Sequence, residues 1–108
     1  MNTDNWFQNI GYFYDGVAVV RMPNGKWNYI NKDGKFLSDV WFDEFSRFLG
    51  GFARVKVDGK YNYIDKDGNL LSDVWFDWGS DFTDGFAMVK INRLWRVVDT
   101  KGGLHVHR

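Results

Sequence analysis

Asp43 and Asp77 are the residues whose pairing first suggests chemistry, because each closes a copy of Leu-Ser-Asp-Val-Trp-Phe-Asp, at 37–43 and 71–77. Paired carboxylates are the equipment of acid–base hydrolysis, which needs them in different environments with their pKa values driven apart. Two copies of one heptapeptide offer a single environment. A hydrolase is therefore the most distant reading, no catalytic residue is assigned, and the chain is not expected to be an enzyme. His105 and His107 share a face of an expected strand, but zinc takes three or four ligands, and a solvated last strand accounts for them. Asp65-Lys66-Asp67-Gly68 has the opening acids of a calcium loop, yet its glycine comes early and no bidentate Glu follows where one is needed. Neither a phosphate-cradling glycine loop nor a nucleophile motif is present, so no metal and no cofactor are expected.

Two further sets point to binding. Trp27, Tyr29, Tyr61, Tyr63 and Trp95 fall on one face of equivalent strands. Flat rings in a row can stack on glycans, quaternary amines or single-stranded bases. Core packing between neighbouring units explains them more simply, since such rows hold repeat arrays together. Choline-binding repeats with Gly-x-Trp-Tyr-Tyr patterns have a period nearer to about twenty residues, and the longer period here argues against them. Arg21, Lys56 and Lys90 occupy equivalent outward positions; a basic row could dock an acidic protein partner, or merely solubilise a sheet face.

The elements that position these residues repeat. Phe48, Gly51, Ala53, Val55, Tyr61, Ile64 and Gly68 recur 34 residues later as Phe82, Gly85, Ala87, Val89, Trp95, Val98 and Gly102. Upstream the offset becomes 35, because Met22-Pro23-Asn24-Gly25-Lys26 replaces Val57-Asp58-Gly59-Lys60. Asp4-Asn5-Trp6-Phe7 stands in the same register before Asp39-Val40-Trp41-Phe42. A connector at 4–12 and repeats at about 13–47, 48–81 and 82–108 follow.

Within a unit, Ala53, Val55 and Val57 alternate with Phe52, Arg54 and Lys56, the period of a half-buried strand. Alanine at the same place in every unit, Ala18, Ala53 and Ala87, marks close packing. Asp58-Gly59 is a two-residue hairpin turn, because both positions tolerate positive φ. The second strand runs from Lys60 to Asp65. Asp65 to Gly68 forms an Asx-initiated turn, and a third strand is expected over Asn69 to Val74. At most a single helical turn is expected near 42–48 and 76–82. The fold class is all-β: three tandem antiparallel three-stranded meanders of about 34 residues, stacked into one domain because one unit alone cannot hide its apolar face.

Composition narrows the classes. The 108 residues are 44% hydrophobic, enough for one core. Fourteen basic and fourteen acidic residues leave no net field, so duplex nucleic acid is not an expected partner. Cysteine is absent, which removes disulfide and thiolate chemistry and fits a reducing compartment. The first residues lack the basic start and apolar run of a secretory signal, and no apolar run reaches membrane-spanning length. A cytoplasmic location is expected, with particle association compatible.

The string Gly-Phe-Ala-Arg-Val-Lys-Val-Asp-Gly-Lys-Tyr-Asn-Tyr-Ile-Asp-Lys-Asp-Gly at 51–68 resembles the bacterial WG-repeat family, whose units centre on Gly-Lys-Trp-Gly-Tyr/Phe-Ile-Asp. Gly25-Lys26-Trp27-Asn28-Tyr29-Ile30-Asn31 is the nearest copy, and the likeness spans nearly the whole chain. Where the family has a second-strand glycine, this chain has Asn28, Asn62 and Arg96. Asn takes a left-handed conformation more readily than Arg, so distortion is expected at Arg96. The resemblance implies a β-repeat of bacterial or phage origin acting as a structural or protein-interaction module, with a protein as partner. The alternative is a module for cell-wall-type glycans or quaternary amines. The unit also departs from the pattern at Leu104-His105-Val106-His107-Arg108, while Trp6-Phe7 forms a connector with no meander before it. Self-association through Trp6, Phe7 and the 104–108 strand follows as an expectation.

Overall fold

The computed structural model describes residues 9–11, 13 and 16–106, and no helix occurs among them. The strands are β1 (Asn9–Ile10), β2 (Val17–Arg21), β3 (Trp27–Asn31), β4 (Glu44–Phe45), β5 (Phe52–Val57), β6 (Lys60–Asp65), β7 (Trp78–Gly79), β8 (Phe86–Ile91), β9 (Leu94–Asp99) and β10 (Leu104–Val106). They form three antiparallel sheets ordered β1-β2-β3, β4-β5-β6 and β10-β9-β8-β7. The fold is all-β, and each sheet is one repeat hairpin with the end of the preceding connector on its edge.

The turns follow the local chemistry. Asp58 and Gly59 take φ of 51° and 81°, joining β5 to β6 with Val57 opposite Lys60. The Asp65 carboxylate accepts the Asp67 and Asn69 amides at 2.9 Å, and Gly68 follows at φ 89°. Asn31 closes the equivalent turn in the first unit through the Asp33 and Lys35 amides.

One expectation is revised. The third meander strand is reduced to bridges at its ends, Ile64 to Leu70 and Tyr61 to Phe76, with Ser72 to Val74 looping out between them. Only in the third unit is it continuous, as β10, with Leu104, His105 and Val106 opposite Val98, Val97 and Arg96. No helical turn forms near 42–48 or 76–82. The amides there are engaged by the following sheet: Glu44 pairs with Lys56, and the Ser46 amide donates to the Arg54 carbonyl at 2.8 Å while its hydroxyl accepts the Arg54 amide at 2.8 Å.

The sheets stack along the 51 Å axis of a body 25 and 19 Å across. Val17, Tyr29 and Phe42 of the first unit share a core with Phe48, Ala53, Val55 and Ile64 of the second. Tyr63 and Phe76 share the next with Phe82, Ala87, Val89 and Val98. The middle sheet is therefore covered on both faces, and consecutive Asn62, Tyr63 and Ile64 are all buried. Ala53 and Ala87 lie in these shared cores and Ala18 in a cluster with Val20 and Ile30, each nearly inaccessible.

Gly68 illustrates how tightly units meet. A Cβ there would collide with the Leu37 carbonyl oxygen of the preceding unit, whereas one on Gly34 would meet nothing. Gly34→Ala should cost about 1 kcal/mol for its left-handed backbone alone. Gly68→Ala should cost about 3 kcal/mol, because the units must also separate. Urea unfolding of both variants checks this; equal losses would refute the contact.

Candidate functional site

The seam between units is built by two consecutive residues. Phe42 exchanges backbone hydrogen bonds with Trp27 on β3, and the Asp43 amide donates to Lys56 on β5 at 2.8 Å. Phe76 and Asp77 repeat this between Tyr61 and Lys90, and both phenyl rings are fully buried. The Asp43 carboxylate accepts the Lys26 ammonium from the first hairpin and the Asp58 amide, at 2.8 Å, from the second. The Asp77 carboxylate likewise accepts Lys60 and, at 2.8 Å, the Asn92 amide. The lysine hydrogen bond, then the backbone amide, lowers the pKa of each aspartate, and Asp43 raises that of Lys26. Both carboxylates thus occupy one kind of environment and serve as clamps between hairpin tips.

The asparagines in the glycine position are not left-handed, as positive φ outside glycine occurs among the described residues only at Asp58, Asp84, Asn92 and Arg93. That expectation is corrected by burial. Asn28 and Asn62 are fully enclosed in strands, and their amides donate to the Ser38 and Ser72 carbonyls at 2.8 and 2.9 Å. They hold the outlooped segment in place. Arg96 lies in regular β9 with no such loop opposite, so the distortion expected there is absent.

Of the predicted aromatic row, Tyr29 and Tyr63 are buried, their hydroxyls donating to the Ser46 and Ser80 carbonyls of the next connector. Burial pushes both phenols well above their ordinary pKa. Trp27 packs on Phe45 with centroids 4.4 Å apart, Tyr61 is half-buried, and Trp95 is 41% exposed. The predicted basic row lies over these same rings. Arg21, Lys56 and Lys90 sit 5.2, 5.2 and 5.3 Å from the centroids of Trp27, Tyr61 and Trp95, their register partners. Lys56 also bonds Glu44 at 3.1 Å, the first cause of its raised pKa.

His105 places Nε2 2.9 Å from the Asp99 carboxylate, which also accepts the Gly103 and Lys101 amides at 2.8 and 2.9 Å. The histidine first, then the amides, brings Asp99 down to about 2. Trp6, Phe7 and His107 lie outside the described residues. Among the described residues no three His, Asp or Glu gather into a metal-binding group, and no helix is long and apolar enough to cross a membrane.

Sequence reasoning missed a set of residues on the third unit. At the positions of Lys60, Asn62 and Tyr63, whose side chains all tie into the connector, it carries Leu94, Arg96 and Val97. Met88 likewise replaces Arg54, which bonds the Gly79 carbonyl at 2.9 Å. The signal was present in the repeat alignment, as changes at neighbouring positions that remove the Arg54, Lys60 and Tyr63 donors together. An open depression of about 450 Å³ results beside Phe86, Met88 and Val97.

Comparison with known families gives a match to the WG containing repeat at residues 7–27, 29–61 and 63–95. No curated protein matches the chain.

Asn62→Ala strands the Ser72 carbonyl and should cost about 2 kcal/mol in urea unfolding; a neutral result would refute its role. The depressed carboxylates contribute stability that is present above pH ~4 and lost as pH falls through their folded values. The raised Lys26, Tyr29 and Tyr63 contribute below pH ~10 and lose it as pH rises through theirs. Urea midpoints should form a plateau between these limits, and Asp77→Asn should shrink the acid limb while leaving the alkaline limb in place.

Proposed function

The chain belongs to the WG-containing-repeat family, and from that premise we propose that it is a non-catalytic β-repeat module working by protein contact through the open face of its third unit. One observation carries this reading. Phe86 is 50% exposed, while its counterpart Phe52 is stacked on Phe82 with centroids 4.7 Å apart. A large ring left uncovered where the same register is covered one unit earlier is a surface suited to a partner.

The chemistry of the remaining groups supports the choice. The acids that a hydrolase would use are clamps, each consumed by a lysine and a backbone amide. The ring faces that a quaternary amine would use are occupied by the chain's own cations. A cytoplasmic or particle-associated setting is compatible with this role.

Acrylamide quenching of tryptophan fluorescence tests it. Trp78 and Trp95 should supply an accessible fraction that neither cell-wall glycan fragments nor choline shields at millimolar concentration, and shielding by either would replace this reading with ligand binding.

A further inference from the structure

The open face is built largely from big apolar side chains. On β8, Phe86, Met88 and Lys90 share one side, and register places Val97 opposite Met88 and both Trp78 and Trp95 opposite Lys90. Phe86, Trp78, Trp95 and Met88 are 50, 41, 41 and 39% exposed, so this is a sheet face of large apolar side chains, bordered by Lys90 on one side and, on the other, by the paired Asp99 and His105 opposite Phe86 and Val97.

In the second unit the same face is covered by the third, and that interface has directional polar ties. Arg54 reaches the Gly79 carbonyl and lies 3.7 Å from Asp81, Tyr63 bonds the Ser80 carbonyl, and Lys60 clamps Asp77. The third unit replaces these donors by Met88, Val97 and Leu94. What remains keeps the shape and apolar character of a unit interface, without the groups that would recognise the edge of a following unit. At the opposite end of the stack, Ala18, Val20 and Ile30 are buried at 2, 0 and 2% exposure, while Phe13, the counterpart of the Phe82 that receives Phe52, is 46% exposed.

We propose that the third sheet packs against the same sheet of a second copy, tail to tail about a twofold axis. Continuity with the interface used twice inside the chain supplies the geometry, sheet face on sheet face. Loss of the one-way ties makes the surface self-complementary, as an isologous contact requires. A twofold contact uses the same face of both copies, so the assembly closes at two. This deepens the protein-contact reading and rests on it.

Sedimentation velocity of the full chain over a concentration series tests the proposal, with Met88→Arg and Phe86→Glu as variants at exposed positions and circular dichroism as the check on folding. The expected result is a reversible monomer–dimer equilibrium, weakened about ten-fold or more by each variant, since each places like charges across the axis. Acrylamide access to tryptophan should fall as the dimer forms. A monomer at all concentrations overturns the proposal, as does growth beyond two copies that Phe13→Asp abolishes, which would make the contact head to tail. Monomeric behaviour together with shielding of tryptophan by glycan or choline overturns the protein-contact reading as well.

Discussion

Everything in this array depends on one pair of adjacent peptide groups. In an extended chain, successive residues direct their hydrogen-bonding groups to opposite sides, so Phe42 can pair with β3 while Asp43 pairs with β5. One short segment thereby belongs to two sheets. The spacing between sheets is set by backbone geometry, and the buried phenyl ring of Phe42 fills the space so defined. Lys26, Asn28 and Tyr29 then secure the segment from three sides through side chains of a single strand and its turn. Stacking in this protein is thus hydrogen-bonded as well as hydrophobic, which suits units too small to hold a core alone.

The parts of the fold legible in the sequence were those determined within a few residues. The Asp58-Gly59 turn, the Asx turn at Asp65 and the alternation of β5 all depend on neighbours on the same hairpin. The repeat period itself supplied the number of units. The residue types of Ser72 to Val74 permit a strand, yet the buried Asn62 amide captures the Ser72 carbonyl and keeps the loop out of the ladder. The glycine position of Asn28 points to a role for its backbone, whereas its side chain is what the fold uses. The aromatic and basic rows were recognised separately. That each cation covers a ring follows only from strand register, which pairs Lys56 with Tyr61.

The third unit shows how a repeat can vary by position without losing its fold. Leu94, Arg96 and Val97 preserve the strand, and Val98 preserves the core behind it. Val106, at the register of the looped-out Ser72, instead pairs with Arg96 at the end of β10. Equivalent residues in successive units thus share conformation while differing in what they face.

The clamps also bear on how the chain folds. Lys26 to Asp43, Tyr29 to Ser46, Lys60 to Asp77 and Tyr63 to Ser80 each span 17 residues. None requires closure of a long loop, so the entropy lost before the first native contacts form is small. A hairpin once formed offers its next neighbour a ready template, and order can propagate from one unit to the next as in a one-dimensional lattice. Such a chain is suited to emerging from synthesis in the order in which it is made.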